Sequence, residues 1–288
     1  MTVVVKIGGA RAVDPAGALE DVASLVADGE SVIVAHGGST AVDDLLDRLD
    51  VEPEYVETPS GVVGRFTDAE TMELFQMALA GKVNTDLVAA LRTAGVDAVG
   101  LSGVDGGLLS GPRTSAVRVL EDGKRKIRRG DHSGRPESVN ADLLDSLLAD
   151  GYTPVFGPPM AGIESDGSSG DEQAQVTAVN TDADRAAAAV AAALDATLVL
   201  LTDVPGILAD PDDDATLLAS VETPADWERA EAAAEGFMER KLMAVEEALS
   251  GGSTAAVVAD ATASEPVTAA LSGSGTHIHP GALEADTQ

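Results

Sequence analysis

The stretch SVIVAHGGSTAVDDLLDRL (residues 31–49) contains the pattern that decides the fold. It begins with the apolar run SVIVA, passes through Gly37 and Gly38, and continues with a pattern typical of a helix up to Leu49. A short apolar run that ends in glycine predicts a buried strand. The two glycines form either a plain tight turn or, with the free N–H groups of the helix that follows, a site for an anionic group.

The same alternation recurs along the chain. Further apolar runs are VVVKI (3–7), VDAVGL (96–101), TPVFGP (153–158), TLVLL (197–201) and TAAVVA (254–259), and helical patterns cover 182–194 and 238–249. Strands that alternate with helices in this way predict an α/β fold, a three-layer αβα sandwich with a mainly parallel central sheet. Such folds bind ligands at the carboxyl ends of their strands, where these glycines lie.

The charge of the chain limits its partners. It has 49 acidic against 18 basic residues and a formal net charge of -31. A surface of this kind repels polyanions, which argues against nucleic acid and anionic membranes as partners. Because charges are screened within about 3 Å at 1 M salt, the simplest interpretation is a protein of a high-salt cytoplasm.

The sequence excludes cysteine chemistry and predicts neither a membrane span nor a secretory segment. Cysteine is absent, so disulfides, thiolate metal sites and a cysteine nucleophile are excluded. No apolar run reaches the roughly 18 residues of a membrane span. The N-terminus lacks the basic and apolar pattern of a secretory segment, so we expect a cytoplasmic protein.

Single polar residues in apolar or helical surroundings are the first candidates for a site. Lys6 lies inside an apolar strand, where it makes either a structural salt bridge or a phosphate contact, because a buried lysine is costly without an anion. Lys241, near the start of a predicted helix, is by itself a surface lysine. Asn180, Asp182 and Asp184 stand at the entrance of an Ala-rich helix, and capping explains Asp182 but not all three.

Two further patterns lie between residues 67 and 139. Thr67 and Glu70 have the spacing of a capping box and predict the start of a helix. Residues 113–139 are polar and basic and predict a hairpin, with five cations in its segment KRKIRR (124–129). These cations either pair with the protein's own acids or bind an acidic partner.

In this order, the motifs resemble those of the amino acid kinase family. The matching motifs are Lys6-Ile7-Gly8-Gly9, His36-Gly37-Gly38, Arg65 ahead of TDAETMELFQMALAGKVN, Asn180-x-Asp182-x-Asp184, Thr202-Asp203-Val204-Pro205-Gly206-Ile207 and Met238-x-x-Lys241. The chain is most similar to the acetylglutamate kinase branch, which phosphorylates a side-chain carboxylate with ATP. One departure is Phe237, where many relatives have glycine, so the resemblance does not predict the conformation of the turn at this position.

The resemblance implies a role for each motif. Lys6 and Lys241 would stabilise the transferring phosphoryl group from two sides, and Asp184 would hold both lysines. The carboxylate substrate would bind to Gly37, Gly38, Arg65 and Asn180, and the nucleotide to Gly8, Gly9, Thr202, Asp203, Val204, Pro205, Gly206, Ile207 and Leu208. An N-terminal lobe (1–175) would bind the substrate and a C-terminal lobe (176–288) would bind ATP, with Mg²⁺ held mainly by the phosphates.

A sister group of the acetylglutamate kinases acts on glutamate or 2-aminoadipate that is attached to a small acidic amino-group carrier protein. The chain resembles that group in the run Arg65-Phe66-Thr67-Asp68 and in the basic hairpin. The carrier would dock on Lys124, Arg125, Lys126, Arg128, Arg129 and Arg135. The resemblance thus implies an ATP-dependent carboxylate kinase of arginine or lysine biosynthesis and a homodimer, and the high-salt interpretation favours glutamate.

Two other functions remain open from the sequence. One is a kinase of free N-acetyl-L-glutamate, and the other is a non-catalytic nucleotide- or amino-acid-sensing module on the same fold. His277 and His279 could suggest a metal pair, but no third ligand is near, and we expect surface or packing residues. GTHI (275–278) resembles the closing Gly-Thr segment of the family. No residue of the chain is assigned as a ligand of a metal ion.

Overall fold

The computed structural model describes residues 1–8, 15–59, 61, 63–121, 123–164 and 175–284. The strands are β1 (Thr2–Ile7), β2 (Ser31–His36), β3 (Tyr55–Glu57), β4 (Val63–Arg65), β5 (Ala98–Gly103), β6 (Leu109–Glu121), β7 (Lys124–Gly134), β8 (Ser138–Val139), β9 (Thr153–Glu164), β10 (Gln175–Val179), β11 (Thr197–Thr202), β12 (Ser220–Val221), β13 (Ala255–Asp260) and β14 (Thr276–Ile278).

The α-helices cover both halves of the described chain. They are α1 (Pro15–Ala27), α2 (Ser39–Arg48), α3 (Ala69–Phe75), α4 (Asn84–Thr93), α5 (Ala141–Ala149), α6 (Ala183–Ala193), α7 (Pro224–Ala233), α8 (Phe237–Ser250) and α9 (Pro266–Leu271). A π-helical segment, Gln76–Val83, joins α3 directly to α4. Short 3₁₀ turns lie at Asp105–Gly107, Asp214–Thr216 and Pro280–Leu283.

The described strands form one large sheet and one small ribbon. The large sheet has the order β12-β14-β13-β11-β1-β2-β9-β6-β7, while β5 and β10 also pair with β9 and β8 with β6. The central pairs β11/β1, β1/β2, β2/β9 and β5/β9 are parallel. The predicted α/β fold with a mainly parallel sheet is therefore confirmed.

Helices cover both faces of this sheet. Val4 of β1 packs in one apolar cluster with residues of α6 and α8, whereas its neighbours Val3 and Val5 pack in a second cluster with residues of α1, α4 and α9. Successive side chains of a strand point to opposite faces, so the two clusters are the two sides of a three-layer sandwich. Because β1, β2 and β11 are parallel, the segments after Ile7, His36 and Thr202 meet at one edge.

One predicted helix cap is confirmed and the other is wrong. Asp182 caps α6 by accepting hydrogen bonds from the N–H groups of Asp184 and Arg185. The cap of α3 is Asp68, whose carboxylate accepts from Thr71 N at 2.8 Å, and not Thr67. Thr67 is unavailable as a cap because its N–H donates to Asp131 of β7 and its carbonyl accepts from His132 N.

The basic segment forms the predicted hairpin. Strands β6 and β7 pair antiparallel from Glu121↔Lys124 to Arg113↔Gly134, with an irregularity in register between Thr114 and Ala116. The hairpin lies at one end of the sheet, so its outer edge is not covered by another strand among the described residues. None of the described helices combines the length and the apolar character needed to cross a bilayer.

Candidate active site

Two lysines meet one aspartate at the carboxyl edge of the central strands. Lys6 Nζ of β1 lies 2.6 Å from Asp184 Oδ1, and Lys241 Nζ of α8 donates to Asp184 Oδ2 at 3.1 Å. The three residues are only 7%, 9% and 8% exposed for Lys6, Lys241 and Asp184. One carboxylate balances two ammonium groups, so the buried cluster holds a net positive charge when all three groups are ionised.

The pKa values of the cluster reflect this imbalance. Burial by itself raises the pKa of Asp184, but the charges of Lys6 and Lys241 outweigh it and hold the pKa below 3.8. Burial, together with the positive charge of Lys6, lowers the pKa of Lys241 below 10.5 against the attraction of Asp184. Excess positive charge in a poorly solvated place favours the binding of an anion.

Local structure explains why these groups meet. Asp184 lies in the first turn of α6, which begins where the cap at Asp182 fixes it. Lys241 lies in the second turn of α8, which packs along α6. A bidentate ion pair from Arg185 of α6 to Glu247 of α8, at 2.9 and 2.6 Å, also joins the two helices. Each lysine is thus held by an element of the packed core.

Arg65 lies beside α2, the helix that follows the second glycine turn, Gly37–Gly38. Its Nη2 donates to Asp43 of α2 and to Tyr55 Oη at 3.1 Å, and its guanidinium lies 5.6 Å from the ring centres of Tyr55 and Phe75. The other terminal nitrogen, Nη1, is buried and has no hydrogen-bond partner among the described residues. An orphaned, charged donor of this kind is costly unless a ligand supplies an acceptor.

Asn180 connects the site to the hairpin. Its N–H donates to His132 O at 2.8 Å and its carbonyl accepts from Gly134 N at 2.9 Å. The next residue, Thr181, carries a buried hydroxyl without a hydrogen-bond partner in the described part of the chain. The sequence singled out Asn180 but missed Thr181, because a threonine between two polar residues carries no distinctive signal.

The predicted nucleotide segment follows β11. Asp203 is exposed, whereas Gly206, Ile207 and Leu208 are buried. Ile207 N donates to Thr276 Oγ1 of β14 at 2.8 Å, and a Cβ atom on Gly206 would lie 2.7 Å from the same oxygen. The segment is therefore fastened to β14, which explains the GTHI motif of the sequence. Gly8 directly follows the end of β1 at this edge, while Gly9 lies outside the described residues.

The predicted docking cations fall into two groups. Lys126 pairs with Glu121, Arg128 with Glu54, and Arg135 with Glu247. The other three, Lys124, Arg125 and Arg129, have exposed side chains and no ion pair with any described residue. Ion pairs with the protein's own acidic residues therefore account for three of the six predicted docking cations.

The outer surface of the hairpin also contains apolar atoms. Ile127, which stands between Lys126 and Arg128, is 65% exposed. An open depression of about 590 Å³ is lined by Pro59, Arg118, Arg125, Lys126 and Ile127. The surface therefore combines free cations with a small apolar centre, which the charge pattern of the sequence did not indicate.

The two histidines that suggested a metal pair lie at β14. His277 pairs with Ser220 in the sheet register, and His279 is exposed. No group of three or more His, Cys, Asp or Glu residues with the arrangement of a metal site occurs in the described ranges.

Comparisons with known proteins decide the family. The model of the amino acid kinase family matches residues 1–260. The chain belongs to the amino acid kinase family. This amino acid kinase is 43% identical over 278 residues to the LysW-aminoadipate kinase of Deinococcus radiodurans, covering 96% of this chain and 91% of the relative. The LysW-aminoadipate kinase of Thermus thermophilus is 41% identical over 282 residues, covering 96% of this chain and 99% of the relative.

A third relative of this amino acid kinase differs in its named substrate. The acetylglutamate kinase of Methanopyrus kandleri is 42% identical over 258 residues, covering 88% of this chain and 93% of the relative. The two LysW-aminoadipate kinases phosphorylate a carboxyl group, and the prediction of a phosphotransferase with a carboxyl acceptor is confirmed. The resemblance to the acetylglutamate kinase branch and to its carrier-dependent sister group is confirmed as well.

Solved structures agree on the fold. The carbamate kinase of Giardia matches this amino acid kinase with a TM-score of 0.66 at 16% identity, covering 96% of this chain and 98% of the other. The N-acetylglutamate synthase of Neisseria gonorrhoeae matches with a TM-score of 0.70 at 24% identity. The match covers 99% of this chain and 60% of the synthase chain, so this kinase matches only part of that longer protein.

Proposed function

We propose that this amino acid kinase transfers the γ-phosphoryl group of ATP to the side-chain carboxylate of a glutamate or 2-aminoadipate that is attached to a small acidic carrier protein. A carboxylate oxygen forms a bond to the γ-phosphorus while the bond to the bridging oxygen breaks, so that an acyl phosphate and ADP result. The observation that carries the proposal is the contact of Lys6 and Lys241 with Asp184. Two anions must approach each other in this reaction, and fixed ammonium groups reduce their repulsion.

In this mechanism each residue of the cluster has a distinct task. Lys6 and Lys241 donate hydrogen bonds to the transferring phosphoryl group from two sides, and Asp184 aims both ammonium groups before the substrates arrive. Preorganised donors need no reorganisation during the reaction, and one such donor is typically worth about 3–4 kcal/mol in the transition state. The net positive charge of the cluster supports this assignment.

The acceptor side is formed by the second glycine turn, Arg65 and Asn180. We assign the orphaned Arg65 Nη1 to a carboxylate of the substrate's α-side, since this nitrogen is buried without an acceptor among the described residues. Gly37 and Gly38 present backbone N–H groups at the start of α2, which has no side-chain cap. Such a helix start is suited to an anionic group.

The nucleotide side is formed by Gly8, Gly9 and the segment from Thr202 to Leu208. The donors that we assign to ATP are lysines and backbone N–H groups, and Asp184 is already bound to two lysines. This donor set fits a magnesium ion that is held mainly by the phosphates, where it would neutralise phosphate charge. We further propose that residues 1–175 bind the carboxylate substrate and residues 176–288 bind ATP.

The hairpin supports a protein-borne substrate. Lys124, Arg125 and Arg129 are exposed cations without an ion pair among the described residues, in a chain whose net charge is -31. An acidic carrier would be repelled by most of the surface and attracted here, which favours one docking orientation. The Deinococcus and Thermus relatives are named LysW-aminoadipate kinases, which also supports a substrate borne on a carrier.

A kinase of free N-acetyl-L-glutamate is the second candidate, and the relative of Methanopyrus kandleri supports it. Glutamate and aminoadipate differ by one methylene, which is worth only about 1–3 kcal/mol in a pocket. The two carrier-bound amino acids therefore stay together in the proposal. A non-catalytic sensing module is not favoured, since the full set of Lys6, Asp184 and Lys241 is present.

Acyl phosphate formation, trapped with hydroxylamine, distinguishes the candidates. The assay compares free N-acetyl-L-glutamate, carrier-bound glutamate and carrier-bound aminoadipate at equal ATP. We expect the highest kcat/KM on a carrier-bound substrate. Efficient turnover of free acetylglutamate together with none on either conjugate would refute the carrier role, and no acyl phosphate from any of the three would refute the kinase.

Three further expectations remain predictions. A homodimer is checked by light scattering of the purified chain. A requirement for high salt is checked by thermal unfolding at 0.1 M and at molar salt, where screening of the acidic surface should raise the melting temperature. A cytoplasmic location is checked by fractionation of the cells that produce the protein.

A further inference from the structure

A buried polar pair lies directly behind the second glycine turn. His36, the last residue of β2, and Asn84, the first residue of α4, are 2% and 5% exposed. Asn84 Nδ2 lies 3.0 Å from His36 Nε2, and His36 Nδ1 lies 2.9 Å from Gly37 O. Neither side chain belongs to the lysine cluster, and the proposed function assigns neither a task.

Chemistry fixes the direction of both hydrogen bonds. Asn84 Nδ2 also lies 2.9 Å from Val155 O and 3.2 Å from Leu101 O. Carbonyl oxygens only accept hydrogen bonds, so the atom that meets them must be the amide nitrogen of Asn84. His36 Nε2 then accepts from Asn84, and Nδ1 must carry the hydrogen that it donates to Gly37 O.

His36 keeps this tautomer over the ordinary pH range. Burial, together with the positive charge of nearby Lys6, lowers the pKa of His36 to about 4 against the opposing hydrogen bond to Gly37. The imidazole is therefore neutral at pH 7, and one ring nitrogen donates while the other accepts. A neutral ring in this position is unsuited to act as a base, because the nitrogen that could accept a proton is occupied by Asn84.

The bond from His36 sets the plane of the peptide between Gly37 and Gly38. The C=O and N–H groups of a trans peptide point in opposite directions, so a carbonyl drawn toward the buried imidazole turns the Gly38 N–H away from it. That N–H finds no acceptor in the described part of the chain. It is the N–H that we assign to the substrate.

Packing leaves the turn little room to move. A Cβ atom on Gly38 would lie 2.5 Å from Leu79 Cδ2 and 3.3 Å from Val83 Cγ2, both in the π-helical segment. A Cβ atom on Gly157 would lie 2.5 Å from His36 Cε1. The π-helical segment ends at Val83, immediately before Asn84, so its wider turn sets both the apolar contact and the amide contact.

We infer that His36 and Asn84 are positioning residues that aim the Gly38 N–H at the reacting phosphoryl or carboxylate oxygen. The inference rests on the proposed contact between the glycine turn and the substrate. Neither residue touches the substrate. Each acts through the Gly37–Gly38 peptide, and the π-helical segment supports both.

Two substitutions of His36 separate the two hydrogen bonds. The amide nitrogen of His36→Asn can occupy the place of Nδ1 and donate to Gly37 O, whereas the longer side chain of His36→Gln reaches toward Asn84 and leaves Gly37 O without its donor. Because a displacement of about 1 Å in a catalytic group can cost about 100-fold in rate, we expect kcat to fall about 100-fold in His36→Gln and His36→Ala. His36→Asn should recover most of kcat. KM for ATP should change little in all three.

The pH profile of kcat separates aiming from proton transfer. His36→Gln and His36→Ala should lower its height between pH 6 and 9 without removing a limb, whereas loss of an ionisation limb in His36→Asn would overturn the inference in favour of a base. Asn84→Ala, which leaves Nε2 without its donor, should lower kcat as well. Melting temperatures are measured for every variant, and kcat is determined well below the lowest of them.

Several outcomes would overturn the inference. One is a His36→Ala variant that keeps the kcat of the wild type but has a lower melting temperature, which would indicate a role in packing alone. Another is a better rescue by glutamine than by asparagine. A crystal structure of His36→Ala with an unchanged Gly37–Gly38 peptide would also overturn the inference, and this test does not depend on activity. Absence of turnover by the wild type on all acceptors would instead contradict the proposed function, so the two failures are distinguishable.

Discussion

Lys6 Nζ lies 2.6 Å from Asp184 Oδ1, and this ion pair joins the central strand β1 to the first turn of α6. The second oxygen of the same carboxylate accepts from Lys241 at 3.1 Å. A strand that ends beside two helix starts therefore brings three charged groups to one point of the sheet edge. Their shared aspartate makes the two ammonium groups a preorganised pair, which is the property that phosphoryl transfer requires.

Removal of one ammonium group should slow the chemical step more than it weakens binding. We expect Lys241→Ala to lower kcat by about 10²–10³-fold, because a preorganised donor to the transferring group is lost. KM for ATP should change much less. Hydroxylamine trapping of the acyl phosphate measures both constants, and Lys82→Ala is the control, since Lys82 pairs with Asp86 on the surface. A Lys241→Ala variant with full kcat would contradict the assignment.

Removal of the shared aspartate should destabilise the protein in a pH-dependent way. The pKa of Asp184 in the folded protein lies below its ordinary value of 3.8, so the ionised group stabilises the fold above that value. That contribution is lost as the pH falls through the folded pKa. We expect Asp184→Asn to cost about 3–5 kcal/mol at pH 7, because two buried ammonium groups lose their counterion.

Thermal unfolding at pH 7, 5 and 3 measures this effect. The difference in melting temperature between the wild type and Asp184→Asn should be large at pH 7 and 5 and should begin to shrink at pH 3. The control is Asp86→Asn, which removes an exposed carboxylate of α4. A difference that stays constant from pH 7 to pH 3 would show that the substitution acts through packing and not through charge.

Arg65 should contribute to binding of the acceptor. We expect Arg65→Lys to raise KM for the acceptor and to leave KM for ATP near its wild-type value. The charge is retained, but an ammonium group cannot reproduce the planar fork that contacts Asp43 and Tyr55 and leaves Nη1 for a ligand. Steady-state kinetics with each substrate varied in turn provides the test. An increase in KM for ATP alone would contradict this assignment and indicate that Arg65 contributes to nucleotide binding instead.

The sequence predicts the frame of the molecule well, because the frame follows from local patterns. The apolar runs at 3–7, 31–35 and 197–201 form the three adjacent parallel strands β1, β2 and β11, and the Asp182 cap starts α6 where the sequence indicates. Asp184 and the two lysines meet as the family resemblance implies. Their catalytic roles stay predictions.

Contacts between distant segments were not predictable. The hydrogen bond between His36 and Asn84 joins residues 48 positions apart, and no local sequence pattern at either residue predicts this contact. The residue that caps α3 is Asp68 and not the predicted Thr67, because residues of β7 form hydrogen bonds with the backbone of Thr67. Arg135 has the charge expected of a docking cation, yet its ion pair to Glu247 directs it toward α8.

The link between β14 and the nucleotide segment should affect ATP. We expect Thr276→Val, which keeps the shape of the side chain, to leave the buried Ile207 N–H without its acceptor at a cost of about 1–3 kcal/mol. The segment from Asp203 to Leu208 should then be less well ordered, so that KM for ATP rises while KM for the acceptor does not. Thr262→Val, at an exposed turn after β13, is the control. Equal KM values for ATP in both variants would contradict the link.

The free cations of the hairpin should matter only for a substrate that arrives on an acidic protein. We expect reversal of two charges, Arg125→Glu with Arg129→Glu, to raise KM for the carrier-bound substrate at least about tenfold at low salt, because electrostatic steering of the encounter is lost. KM for ATP and melting temperature should stay near the wild-type values. The effect should shrink as salt is raised, since exposed charges are screened within about 8 Å at physiological ionic strength and within about 3 Å at 1 M.

A matched control separates the local effect from the change in net charge. Arg92→Glu with Arg229→Glu changes the net charge equally, at side chains that are 56% and 69% exposed on α4 and α7. Both double variants increase the repulsion of an acidic carrier, but only the hairpin variant removes charges from the proposed docking surface. A larger KM effect in the hairpin variant therefore supports docking there. An equal effect in both would show that net charge alone governs the encounter, and that the hairpin has no special part in it.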